Sequence, residues 1–116
     1  MRKLILIACA AGLACIAAPA LAKDAWLAPQ KKQCTLKPGE DCGMDVKCPA
    51  DTPFAMSGGG GVPKVSDKNH RLAMTMNVAI SPNAWRVRWR NFGDKALDVT
   101  VMIRARCSSD GAAWGK

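Results

Sequence analysis

The stretch AWRVRWRNFGDKALDVTVMIRARC, residues 84–107, alternates apolar and polar side chains on both sides of a short connection. In the first run, Trp85, Val87 and Trp89 share one side and arginines occupy the other. The apolar side of the second run holds Leu97, Val99, Val101, Ile103, Ala105 and Cys107. Such alternation is typical of half-buried β-strands, and Gly93 suits a hairpin connection. The stretch therefore predicts two paired antiparallel strands.

The rest of the chain continues this pattern. Residues 71–80 also alternate, with one side made up of Leu72, Met74, Met76, Val78 and Ile80. Residues 34–53 are dense in proline, glycine and aspartate, which favours short strands joined by tight turns. No segment has the periodicity of a helix of ordinary length. The sequence therefore predicts an all-β fold, a small antiparallel β-sandwich stapled by disulfides.

The first 22 residues have the pattern of a secretory signal peptide. Basic residues precede an apolar run, and residues 19–22, PALA, form an A-x-A cleavage pattern. A transmembrane anchor is disfavoured because the run is short and rich in small residues. Lipidation at Cys9 or Cys15 is a second alternative, since lipobox-like residues precede each. We expect a periplasmic or secreted protein that starts at Lys23, with no transmembrane segment in its mature chain.

The mature chain is short enough for a single domain. We assign residues 23–33 to an extended N-terminal arm, because Pro29 cannot lie inside a helix. Residues 34–107 form the sandwich domain, and residues 108–116 form a flexible tail. The oligomeric state cannot be inferred from the sequence.

Four cysteines remain after cleavage, and an even number in an exported chain indicates disulfides. Of the three pairings that can be drawn, the sequence favours Cys34–Cys42 and Cys48–Cys107. The first pair brackets a Pro-Gly turn. In the second, Cys107 lies on the apolar side of its strand, and Cys48 precedes the short apolar run at residues 54–57. Zinc is disfavoured because the spacing contains no C-x-x-C and His70 is the only histidine.

Positive charge dominates the chain, with a formal net charge of +8. If residues 84–107 form a hairpin, its polar face carries Arg86, Arg88, Arg90, Arg104 and Arg106. Asp98 can offset either Arg88 or Arg90, and the remaining guanidinium groups suit phosphate or carboxylate. We expect this face to bind an anionic polymer or acidic protein of the cell envelope. The alternative is a solvated face that keeps an edge hairpin soluble.

A second candidate site lies in the methionine strand. His70, Met74 and Met76 are close in sequence, and alternation places both methionines on one strand face. Thioethers select Cu(I), and the group resembles the His/Met site of small periplasmic copper and silver efflux chaperones. That resemblance implies a Cu(I)/Ag(I) site beside Trp85 or Trp89. The alternative is that the methionines belong to the core, and no cofactor is predicted.

Catalytic and nucleotide-binding patterns are lacking in the sequence. The glycine run at residues 58–61 is followed by Val62 and Pro63, which start no helix, so it does not predict a phosphate-binding loop. It predicts a strand end or a bulge at which two backbones approach closely. The sequence does not predict an enzyme, because it has one histidine and no tyrosine and its cysteines are expected to be paired in disulfides. A third class of function is a structural or assembly subunit whose arm, residues 23–33, adds a strand to a partner.

A spaced pattern runs through residues 48–107. It consists of Cys48-Pro49, the glycine run, W-x-V-x-x-x-N from Trp85, and V-x-V from Val99 followed by Cys107. The pattern resembles small exported bacterial domains that begin with C-P, carry a glycine run and end in V-x-V shortly before a cysteine. The resemblance implies a compact β-sandwich in which the outer two cysteines are bridged, and it implies no particular activity. The sequence as a whole predicts an exported, non-enzymatic binding protein.

Overall fold

The computed structural model describes residues 23–111, and within them it contains seven strands and no helix. The strands are β1 (Asp24–Trp26), β2 (Gln30–Leu36), β3 (Asp41–Lys47), β4 (Phe54–Val65), β5 (Leu72–Ser81), β6 (Ala84–Asn91) and β7 (Leu97–Ser108). Nothing in this part of the chain could cross a membrane as a helix. The predicted signal peptide, and residues 112–116 of the predicted tail, lie outside the described residues. The assignment of Ser108 to the tail is wrong, because it is a buried residue at the end of β7.

The strands form two antiparallel sheets. In the four-stranded sheet, β7 pairs with β4 along one edge and with β2 and β1 along successive parts of the other. The three-stranded sheet has the order β3-β6-β5. The predicted all-β antiparallel fold is confirmed. The alternating runs of β6 and β7 each bury one face, whereas β5 contains no buried residue.

The core lies between the two central strands, β7 and β6. Val101 and Ile103 of β7 are 0% and 1% exposed, and Val87 and Trp89 of β6 are 0% and 3% exposed. Burial of one such side chain stabilises the fold by about 1.5–3 kcal/mol. The alternation in residues 84–107 therefore arises because two central strands from different sheets face each other.

The glycine run allows the sheets to pack closely. A Cβ atom on Gly58 would lie 2.5 Å from the Trp85 ring, and one on Gly60 would lie 2.6 Å from the Trp89 ring. Both glycines therefore leave room for an inward indole. The predicted strand end is wrong, because β4 continues to Val65. A register shift follows directly after Gly61, as expected for the predicted bulge, and the groups that approach Gly58 and Gly60 closely include the two indole rings.

Both predicted disulfides are present, Cys34–Cys42 and Cys48–Cys107. Cys34–Cys42 joins β2 to β3 and so links the two sheets. Cys48–Cys107 closes a loop with a sequence separation of 59 residues. In the chain-entropy model, a loop of this length stabilises the fold by about 4 kcal/mol.

The N-terminal segment is extended, as predicted, but it is part of the sandwich. β1 and the first half of β2 pair with β7 of the same chain. The sandwich therefore begins at Asp24 rather than at Cys34, and residues 23–33 are not a free arm. Strand addition to a partner through this segment would require it to leave β7.

The predicted hairpin of residues 84–107 is wrong. β6 pairs with β3 and β5, whereas β7 pairs with β1, β2 and β4. The turn between them crosses from one sheet to the other, and the fully buried Asn91 holds it. Its Nδ2 donates to the carbonyls of Leu36 (3.0 Å) and Lys95 (2.7 Å), and its Oδ1 accepts from the backbone N–H of Gly93 (2.9 Å).

Candidate functional site

The outer face of the three-stranded sheet carries a ladder of opposite charges. The β3–β6 register places Asp41 opposite Arg90 and Asp45 opposite Arg86. Arg86 donates two hydrogen bonds to Asp45, both 2.7 Å long. Arg90 donates two to Asp41, of 2.6 and 3.2 Å. Both arginines therefore already have the bidentate carboxylate partner that their shape favours.

These ion pairs lower the pKa values of the two aspartates. The hydrogen bond from Arg90 lowers the pKa of Asp41 below its ordinary value, partly opposed by desolvation and aided by the charges of Arg90 and Arg88. Arg86 lowers the pKa of Asp45 in the same way, again with a contribution from Arg88. Both carboxylates therefore stay ionised at neutral pH, and both pairs remain formed.

Arg88 differs from its two neighbours because Gly43 lies opposite it. A Cβ atom at position 43 would lie 2.7 Å from Cγ of Arg88 and 3.0 Å from the carbonyl oxygen of Val87. Glycine therefore lets the Arg88 side chain lie against β3. Among residues 23–111, the Arg88 side chain has no hydrogen-bond or ion-pair partner.

A second cation reaches the same place from the other sheet. Lys32 on β2 lies opposite Val101 of β7, on the inward side of an edge strand, and remains exposed. Its Nζ donates to the carbonyl of Gly43 over 3.4 Å. Two adjoining open depressions, of about 560 and 370 Å³, are both lined by Lys32, Gly43 and Arg88. We call this feature, defined by these three residues, the Arg88 trough.

Two of the five predicted arginines lie elsewhere, on the outer face of the four-stranded sheet. Arg106 pairs with Asp24 at 2.9 Å, and the Arg104 guanidinium lies 5.1 Å from the centre of the Trp26 ring. The prediction that all five arginines share one face is therefore wrong, because β6 and β7 are in different sheets. Asp98 does not offset an arginine either; it lies opposite Thr35 and accepts a 2.8 Å hydrogen bond from its hydroxyl.

The methionine strand is not regular. The β5–β6 register shifts between Met74 and Met76, so Met74 lies opposite inward-facing Trp89 and Met76 lies opposite outward-facing Arg88. The expectation that both methionines share one face is wrong, because Thr75 is an extra residue in a bulge. The Nδ1 atom of His70 accepts a 3.1 Å hydrogen bond from the backbone N–H of Leu72. The register therefore does not bring the three predicted ligands to one face.

No cluster of three or more histidine, cysteine, aspartate or glutamate residues that could hold a metal ion occurs in residues 23–111. Trp85 and Trp89, which would flank a metal beside the methionines, instead pack against Gly58 and Gly60.

Lys32 and Gly43 were not identified from the sequence. The signal for Gly43 was present, because Asp41, Gly43 and Asp45 recur at every second residue and match the spacing of the arginines in β6. That complementarity could have predicted β3 as the partner of β6. Nothing comparable points to Lys32, which comes from the other sheet and is placed only by the three-dimensional packing.

The chain matches no protein-family model, no curated protein and no solved structure.

Proposed function

We propose that this chain is an exported, non-enzymatic binding protein that holds an anionic group of a cell-envelope component in the Arg88 trough. The anionic group is a phosphate or a carboxylate. One observation carries the proposal: β3 supplies an aspartate to Arg86 and to Arg90 but a glycine to Arg88. The middle guanidinium is thereby left open, with the Lys32 ammonium beside the same glycine.

The physical argument is an imbalance of charge. Arg88 lies between two guanidinium groups on one strand face. Of the three carboxylates that line the two depressions, Asp41 and Asp45 are already bound bidentately by arginines, and Glu40 accepts a hydrogen bond from the backbone N–H of Lys37. An anion in the trough would accept charge-assisted hydrogen bonds from Arg88 and Lys32. Each such bond contributes about 1.5–3 kcal/mol.

The size of this gain indicates the type of ligand. Two such bonds only roughly offset the cost of association, which is about 4 kcal/mol or more. A single phosphate should therefore bind weakly. A polymer with repeated anionic groups would bind more tightly, because neighbouring groups rebind at high effective concentration. An anionic envelope polymer fits the site better than a small free anion.

Export has separate support. The pattern of residues 1–22 is that of a signal peptide. The two disulfides are of a kind that persists in oxidising compartments such as the periplasm or the exterior.

The test is co-sedimentation of the disulfide-bonded chain with lipopolysaccharide over a salt series, with dephosphorylated lipopolysaccharide and peptidoglycan in parallel. The site variant is Lys32→Gln with Arg88→Gln. The matched control is Lys64→Gln with Arg104→Gln, which removes the same charge from the four-stranded sheet. We expect the site variant to bind at least about tenfold more weakly and the control to bind like the wild type.

Either of two results would overturn the proposal. If both double variants lose binding equally, general positive charge is responsible. If wild type sediments with none of the three polymers at low salt, the trough is a solvated surface.

A further inference from the structure

The outer edge of β5 is apolar and exposed. Among the strands of residues 23–111, β5 pairs only with β6, so its second edge is open within this part of the chain. Five large apolar side chains are exposed in residues 23–111, and three of them lie on this strand: Met74 (40%), Val78 (44%) and Ile80 (42%). Single exposed apolar side chains scattered over the surface are ordinary in a protein. Several of them on one open strand edge are typical of an interaction surface.

The other open edges carry the charges and prolines that prevent strand pairing. Asp24 lies in β1, Lys31 and Lys32 in β2, and Asp41, Asp45 and Lys47 in β3, while β4 contains Pro63 and Lys64. In contrast, β5 has the sequence LAMTMNVAIS, with no charged residue and no proline. Within the described sandwich, β5 is therefore the open edge without charge or proline, and its two bulges are the protection that remains.

We propose that β5 pairs antiparallel with β5 of a second copy of this chain. The two three-stranded sheets then join into one continuous six-stranded sheet across a twofold axis. The pairing covers Val78 and Ile80, which otherwise remain in water. It also satisfies the backbone groups on the open edge of the strand.

The distribution of charge identifies a second copy as the partner. The chain carries a net charge of +8, so two copies repel unless the contact avoids their charged groups. Self-pairing of β2 or β3 would bring like charges together, whereas self-pairing of β5 brings none. Pairing of β5 with β3 of another copy would leave an open edge at each end, and such contacts grow into filaments rather than closing.

Two bulges limit the strength of the contact. Register shifts between Met74 and Met76 and between Ala79 and Ser81 leave residues 76–79 as the longest regular stretch of β5, with Val78 within it and Ile80 in the bulge next to it. A contact this short falls in the class of small, weak interfaces, so we expect a dissociation constant of tens of micromolar, on the order of 10–100 µM. The dimer would leave both Arg88 troughs open at the outer β3 edges, about 24 Å apart by the usual strand spacing.

The experiment measures the mass of the full disulfide-bonded chain by analytical ultracentrifugation between about 1 and about 300 µM, a range that brackets the expected dissociation constant. Val78→Lys places a charge at the proposed contact. Gln33→Lys is the matched control, an exposed position on the edge strand β2 of the other sheet. We expect wild type and Gln33→Lys to approach about twice the monomer mass and Val78→Lys to stay monomeric.

The proposal is overturned if wild type is monomeric throughout this range. It is also overturned if Val78→Lys associates like wild type, or if Gln33→Lys abolishes association equally. Should Val78→Lys fail to fold, Ile80→Lys takes its place with the same expected result. Amide hydrogen exchange provides the second measurement: the amides of residues 72–81 should exchange more slowly at high protein concentration in wild type and Gln33→Lys, but not in Val78→Lys.

Discussion

Arg88 of β6 lies opposite Gly43 of β3, while the arginines two residues before and after it each lie opposite an aspartate. The register therefore leaves one guanidinium in three without a carboxylate. Because Gly43 also has no side chain, Arg88 can lie against the β3 backbone next to Lys32. Arg88 is therefore the candidate anion-binding residue in a row of arginines whose other two members are paired with aspartates.

The glycines of β4 should differ sharply in their tolerance of alanine. Gly60→Ala would place a methyl group against Trp89 and the carbonyl of Met102, and we expect it to lower the free energy of unfolding by about 1–3 kcal/mol. Gly59→Ala is the control, because a Cβ there meets nothing within 4 Å, and it should change stability by no more than about 0.5 kcal/mol. Urea denaturation of both variants measures this difference; equal effects would contradict the packing account.

Asn91 should be critical for the crossover between the sheets. Asn91→Ala removes three hydrogen bonds and leaves buried backbone groups unpaired, so we expect a loss of about 2–4 kcal/mol in unfolding free energy. The comparison is Asn77→Ala, which removes one exposed hydrogen bond from the Trp85 indole and should cost about 1 kcal/mol or less. A smaller effect at Asn91 than at Asn77 would show that the side chain does not hold the turn.

Acid should weaken the charge ladder. The pKa values of Asp41 and Asp45 are lower in the folded chain than their ordinary value of 3.8. Their contribution to stability is therefore fully present above that value and is lost as pH falls through the lower, folded-state pKa. We expect the thermal midpoint of wild type to fall below about pH 4, and that of Asp41→Asn/Asp45→Asn to fall less steeply. If the thermal midpoints of the two proteins fall equally with decreasing pH, the assignment of this acid sensitivity to Asp41 and Asp45 is contradicted.

One buried hydroxyl is unsatisfied. Oγ1 of Thr52 has no hydrogen-bond partner among the described residues, 23–111, and the residue is 3% exposed. Thr52→Val keeps the shape and removes the unpaired group, so we expect an increase of about 1 kcal/mol in unfolding free energy. Thr52→Ser is the control, since it keeps the hydroxyl and loses a methyl group and should destabilise the fold. A destabilised valine variant would show that the hydroxyl has a partner in solution.

The sequence predicted the strands well and the pairing of β6 and β7 poorly. Alternation shows that each strand buries one face, but it contains no information on which strand lies beside it. The short connection with Gly93 has the length and composition of a hairpin turn, which is why a hairpin was predicted. The prediction failed because the buried hydrogen bonds of Asn91 direct the chain into the other sheet. The disulfides were predictable because Cys107 had to face inward, toward the core.

The candidate site was only partly predictable. Arg88 belonged to the predicted arginine set, yet its distinction from Arg86 depends on the β3 register. The methionine hypothesis depended on unbroken alternation in β5, and a bulge at Thr75 leaves no trace in such a pattern. Lys32 lies at the site because of how the sheets pack, which the sequence does not encode locally.

The most direct test of the Arg88 trough follows the arginine side chains by nuclear magnetic resonance in one sample. The Nε–H signals of Arg86, Arg88 and Arg90 are recorded while inorganic polyphosphate is added at constant ionic strength. The structure predicts that the Arg88 signal shifts and saturates while the two aspartate-bound arginines stay nearly unchanged. Equal shifts of all three signals, or no shift of Arg88, would contradict the proposed site.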